Sequence, residues 1–186
     1  SALTTDQIDI ENAERYDITY TDKDGEKKNP LILHLSPSGA IERVIYALLE
    51  KAHMDAKVGK KPMLPLWLSP TQLRVICVSN EKHLEEAEKF VSELESLNVR
   101  VDIDDNEDSI GKRIRNAEKE WSPFIVVIGD EEIKTGKLQV RIRETGVQEK
   151  MSVAELAEMI KKQTEGLPFK KQPLNKYVSK RPIFSG

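Results

Sequence analysis

One cysteine, Cys77, stands among 186 residues, which excludes an internal disulfide framework and any all-cysteine zinc site. Histidine is also scarce: His34, His53 and His83 are the full set, and neither they nor Cys77 fall at chelating spacing. No apolar run approaches the roughly 20 residues that a helix needs to cross a bilayer, and mean hydropathy is −0.51. The amino end, Ser1 to Thr4, has neither the basic flank nor the apolar stretch of a signal peptide. Phosphate-loop, GxGxxG, Ser-His-Asp and Cys-His signatures are missing too. These absences predict a soluble, cytoplasmic chain with no partner membrane.

Charge gives no bulk nucleic-acid signal, since 29 Lys+Arg face 32 Asp+Glu for a net −3 and the pI is 5.8. Its distribution is uneven. The stretch from Asp102 to Asp108 is strongly acidic, whereas Lys170, Lys171, Lys176, Lys180 and Arg181 make a tail without an acid. RNA recognition, if present, must use a local face. The length allows one ordinary domain, or one domain and a piece of another. With no initial methionine and early strands short of partners, a fragment is expected.

Hydrophobic periodicity divides the chain in two. Arg15 to Thr21 alternates as a strand, Asp22 to Gly25 reads as a hairpin turn, and Pro30 to His34 as a second strand. Ala40 to Ala52 carries Ile41, Val44, Ile45, Leu48 and Leu49 on one helical face. Two antiparallel strands and a helix make too little for a separate core. Prolines 62, 65 and 70 mark a connector over 58–71.

Beyond it the pattern becomes strand–helix alternation. Leu73 to Val78 is an apolar strand, and Glu81 to Leu97 a helix with Leu84, Ala87, Val91, Leu94 and Leu97 inward. Val99 to Ile103 is a strand; Ser109, as cap, opens a helix to Trp121. Phe124 to Ile128 and Leu138 to Ile142 are further strands, the last antiparallel after a short turn. Ser152 and Glu155 form a capping box for a helix ending near Gln163. The expectation is an α/β fold: a mixed sheet flanked by helices, with an antiparallel hairpin and helix before it.

On residue chemistry alone several sites stay open. His34, before the Ser36 to Gly39 break, is either an ordinary histidine or one ligand of an incomplete metal site. Gly39 with Glu42 and Arg43 is either a solvated helix start or a phosphate-binding one. The loop from Asp104 to Asp108 suits a helix dipole, and it also suits Mg²⁺ or the donor edges of bases. Lys112, Arg113 and Arg115 are a solvated basic face or an RNA contact.

Five strings, in order, resemble threonyl-tRNA synthetases, especially the archaeal form: Thr5 to Asp9 with Glu14 to Asp17; Pro30 to His34 with Ser38 to Arg43, which is similar to class II motif 3; Leu66 to Gln72; Asp104-Asp105 with Ile110 to Arg115; and Ser179 to Pro182. The resemblance implies the last part of a class II catalytic domain over 1–57, a linker at 58–71, an anticodon-binding domain over 72–165 and a basic tail at 166–186.

It also implies roles. His34 matches the third ligand of an active-site zinc that binds threonine; a metal requiring a hydroxyl rejects valine better than an apolar pocket does. Arg43 matches the motif 3 arginine that contacts ATP and serves catalysis, and Gln7 a residue beside the threonine pocket. Glu107, Arg115, Glu132 and Arg141 match the side chains that read the second and third anticodon bases, carboxylates accepting from base amines and guanidiniums donating to base oxygens. Arg115 has an alternative structural role, pairing with Asp104 or Asp105.

The full-length enzyme is thus expected to use zinc and ATP with Mg, to bind threonine and tRNA-Thr, and to form a homodimer. Motifs 1 and 2 and two zinc ligands are missing, so this chain is expected to hold no cofactor and to be inactive alone. The competing expectation is a non-catalytic accessory RNA-binding protein of the same anticodon-binding fold.

Overall fold

The computed structural model describes residues 4–182. It divides into two compact units, Ser1–Lys51 and Ala52–Gly186.

In the first unit β1 (Thr5–Asp9) pairs antiparallel with β4 (Ile32–Ser36), placing Gln7 opposite His34 and Asp9 opposite Ile32. Between them lie α1 (Asn12–Arg15) and a small hairpin, β2 (Tyr20–Thr21) with β3 (Lys27–Lys28). The strand expected over Arg15 to Thr21 therefore shrinks to two residues. Its front half is displaced because Asp9 accepts the Glu11 and Asn12 amides and so starts a helical turn. The expected hairpin turn is present: Asp22 accepts from the Asp24 and Glu26 amides, and Gly25 takes φ +81°. Helix α2 (Ile41–Lys57) follows. Among the described residues of this unit only Asp9 and Ala13 are buried, while Ile8, Leu33 and Leu35 are exposed. Two strands and a hairpin do not enclose a core.

The second unit is built on a five-stranded sheet ordered β6-β5-β7-β8-β9. Its strands are β5 (Leu73–Cys77), β6 (Val101–Asp104), β7 (Phe124–Ile128), β8 (Lys137–Ile142) and β9 (Gln148–Ser152). β5 runs parallel to β6 and β7, and β8 is antiparallel to both its neighbours, as the mixed-sheet reading requires. Helices α3 (Asn80–Ser96), α4 (Ile110–Lys119), α5 (Asp130–Thr135) and α6 (Val153–Gln163) complete it.

One sheet face carries the core: Leu73, Val75, Val101, Ile103, Phe124, Val126, Leu138 and Val140 pack with Ala87, Val91 and Leu94 of α3 and Leu156 and Ile160 of α6. The α3 stripe begins at buried His83, and Leu97 is exposed because the helix has ended at Ser96. On the other face α4 places Ala117 and Ile114 against Ile76, Ile125 and Val127.

Local signals mostly hold. Ser152 accepts the Glu155 amide at 3.2 Å and Glu155 accepts the Ser152 amide at 2.7 Å. Ser109 stands at the amino end of α4 but makes no side-chain cap; its carbonyl accepts the Lys112 and Arg113 amides instead.

The connector and tail are both tied to this sheet. Arg100 donates to the carbonyls of Ser69 and Trp67, and Leu66, Ser69 and Thr71 are buried. The tail carbonyl of Lys176 accepts the Ile103 amide at 2.9 Å, and a short 3-10 turn over Val178–Lys180 follows. Ser179 donates to Asp105 through its amide and its hydroxyl, and Arg181 reaches Asp102 at 2.7 Å. A tail without acids of its own is held by the acids of the β6 end. No helix among the described residues is long and apolar enough to cross a membrane.

Candidate nucleic-acid interface

Strand β8 alternates strictly. Leu138, Val140 and Ile142 enter the core, which sends Lys137, Gln139 and Arg141 to the opposite face. The β9 register sets Gln148, Lys150 and Ser152 across from Arg141, Gln139 and Lys137 in turn. This half of the face is polar, with Gln148 and Lys150 exposed. It stands beside α4, whose Arg115 and Lys119 are one turn apart on a single side of the helix.

Here lies a cavity of about 330 Å³ lined by Arg115, Glu118, Lys119, Arg141, Gln148 and Lys61 among others. Arg141 is half-buried, and with the Gln148 side-chain amide turned oxygen-first it donates to that oxygen from Nη1 at 3.0 Å and Nη2 at 3.2 Å. Arg115 is exposed and makes no side-chain hydrogen bond or ion pair among the described residues. Two planar donor forks thus share a concave site with one carboxylate, Glu118. Such forks suit the oxygens of bases or phosphates.

The acidic stretch near Arg115 serves a different cation. Arg113 is buried and donates to the carbonyls of Cys77 and Asp104, with its Nε 3.4 Å from the Asp104 carboxylate. Asp102 is bound by Arg74 and Arg181, and Asp105 by Ser179. The structural pairing considered for Arg115 therefore belongs to Arg113. Among the described residues no three His, Cys, Asp or Glu side chains gather to hold a metal.

The four anticodon-reading candidates do not all meet. Arg115 and Arg141 share the cavity. Glu132 caps α5, accepting the Gly129 amide through Oε2 at 3.0 Å. Glu107 is exposed in the loop after β6. Both carboxylates follow the carboxyl ends of parallel strands, whereas Arg141 pairs with Ile125 near the start of β7. Three residue steps along β7 separate those levels, on the order of 10 Å at about 3.3 Å per residue.

In the first unit, Gln7 and His34 face each other in register. His34 Nε2 lies 3.2 Å from Asp9 Oδ2. The Asp9 carboxyl is held down to about 2, first by the Asn12 amide against the opposing effect of burial, with the Asn12 side chain, the Glu11 amide and His34 adding to it. One imidazole and one carboxylate already bound to amides fall short of the three protein ligands of a catalytic zinc. Arg43 is exposed in the first turn of α2, and its amide donates to Ala40. Gln148 went unrecognised in the sequence because β9 has one buried residue, Met151; the signal available was Gly146, a hairpin glycine following an alternating strand.

Residues 72–163 match the family described as the anticodon binding domain. Over its full 186 residues the chain is 54% identical to a threonine–tRNA ligase of Pyrococcus furiosus, covering 30% of that protein. It is 53% identical to the threonine–tRNA ligase of Methanosarcina mazei, with 99% of this chain and 29% of that one aligned. The chain fits the carboxy-terminal part of an archaeal threonine–tRNA ligase. A crystal structure of the RNA binding domain of threonyl-tRNA synthetase from Cryptosporidium parvum superposes with a TM-score of 0.66 at 29% identity, over 89% of this chain and 39% of that one. The chain spans about a third of the length of the curated relatives it matches. Arg115 and Arg141 both lie within the residues that match that family, whereas Lys61, which also lines the cavity, precedes them.

Proposed function

We propose that this chain is the anticodon-reading end of a threonine–tRNA ligase, and that its second unit binds the anticodon loop of tRNA-Thr. The observation that carries this reading is the pair Arg115 and Arg141 lining one cavity on the open sheet face of a domain that matches anticodon-binding domains. In this reading the unstacked bases of the loop enter the cavity and the two guanidiniums donate to their edges. Glu132, its Oε2 committed to the cap, offers its other oxygen to a base amine, and Glu107 is the outermost contact. Domain limits of 72–165 for this module and 1–57 for the catalytic remnant go with it.

The complete enzyme then activates threonine with ATP and Mg and transfers it to tRNA-Thr, as a homodimer in the cytoplasm. Gln7 borders the threonine pocket and Arg43 contacts ATP. His34 supplies at most one ligand to a zinc, and the residues of this chain do not complete that site. The chain alone forms no threonyl-adenylate. Chemical footprinting of tRNA-Thr tests the placement: protection of the second and third anticodon bases is expected. Protection confined to the acceptor stem contradicts it.

A further inference from the structure

We propose that Lys61, in the connector before the anticodon-binding domain, grips a backbone phosphate of the RNA strand whose bases enter the Arg115–Arg141 cavity. This rests on the anticodon-binding reading and adds a contact from outside the matched domain, which begins at residue 72.

The connector is pinned where Lys61 needs it. Arg143 donates from Nε to the Pro62 carbonyl at 2.9 Å and from Nη1 to the Glu118 carbonyl at 2.8 Å, while its own amide donates to Pro123. Its guanidinium is thereby spent on backbone, and its effect is to fasten the residue beside Lys61 to the ends of α4 and β8. Lys61 then reaches over the β8–β9 turn. Gly146 there has φ +76°, and a Cβ on it would lie 3.2 Å from the Lys61 ammonium. A side chain at 146 would both strain the backbone and push the ammonium away.

Charge gives the class of ligand. Among the described residues the Lys61 side chain has no ion pair or hydrogen bond, and the same holds for the side chains of Arg115 and Lys119. With Arg141 and Arg143 these make five cations around one carboxylate, Glu118, in a chain of net charge −3. Such a concentration of one sign in a concavity attracts a polyanion. The division of chemistry follows residue type. Planar arginine forks discriminate base edges, whereas a lysine ammonium at the rim is a point charge suited to phosphate.

The test is equilibrium binding of a tRNA-Thr anticodon stem-loop to the chain between about 50 and 200 mM salt. Lys61→Gln, Lys61→Arg and loops altered at the second and third anticodon bases are compared. For Lys61→Gln the slope of log K against log salt should fall by about 0.7, the value for one phosphate on a single strand. Affinity should drop by the same factor for every loop, and Lys61→Arg should restore the slope. An unchanged slope and affinity in Lys61→Gln overturns the proposal even where the parent chain still discriminates loops. If the parent treats all loops alike yet the slope still falls with Lys61→Gln, the phosphate contact stands and the base-reading role of the arginines fails. Absence of binding to any loop overturns both.

Discussion

Arg74 and Asp102 form a two-point ion pair in the interior of the second unit, Nε to Oδ1 at 2.9 Å and Nη2 to Oδ2 at 2.8 Å. They sit on neighbouring parallel strands at 1% and 0% exposure. Asp102 also accepts from Thr71 at 2.8 Å and pairs with Arg181 at 2.7 Å, so a single carboxylate ties connector, sheet and tail.

Removing that carboxylate leaves Arg74 buried without its main partner. Asp102→Asn should destabilise the chain by about 3–5 kcal/mol. Glu120, the other acid beside Arg74, is 55% exposed, and Glu120→Gln should cost less than about 1 kcal/mol. Urea unfolding of the two variants measures the contrast; equal losses would show that burial is not what makes the Asp102 pair matter.

The Asp9 carboxyl gives a prediction in pH. Its acidity is raised by the Asn12 amide and further donors to about 2 in the folded chain. Since the folded value is depressed, the contribution of Asp9 to the first unit is complete above the ordinary carboxylate range and is lost as pH falls through about 2. Carbon-13 titration of the Asp9 carboxyl should find its midpoint near there. A midpoint at the usual aspartate value would mean that the Asn12 and Glu11 contacts do not persist.

Cys77 is fully buried on β5, and burial pushes its thiol up to about 11. At pH 8 roughly one thiol in a thousand is then ionised, even before access is considered. A disulfide reagent should leave the native chain unmodified at that pH and label one thiol after denaturation. Rapid labelling of the native chain would contradict the burial of the central strand.

Much of the second unit was legible because its physics is local. Phe124 to Ile128 is apolar without break and Leu73 to Cys77 is interrupted only by Arg74, as suits strands covered on both faces, and Ser152 with Glu155 caps α6 as its spacing predicts. Less visible was what tertiary partners decide. Arg113 shares the helical face of Ile114 and Ala117 and is buried against Cys77 and Asp104, whereas Arg115 faces the cavity, but which partners each meets is set by the fold. Strand β9 escaped because an edge strand with one buried side chain carries almost no hydrophobic period. The start of the chain misled for a different reason, since Asp9 diverts the backbone into α1 through contacts to Glu11 and Asn12. Of the candidate site, the basic pair on α4 and β8 was in the sequence, while its partners Gln148 and Lys61 depended on the fold.

Fluorescence titration of this chain with the tRNA-Thr anticodon stem-loop, beside loops altered at the second and third anticodon bases, examines the anticodon role most directly. The cognate loop should be preferred by about 1–3 kcal/mol per altered base, and Arg141→Ala should abolish that preference while phosphate-driven binding remains. Equal, salt-sensitive binding to every loop, unaffected in its ratios by Arg141→Ala, would contradict base reading and leave a general RNA-binding surface.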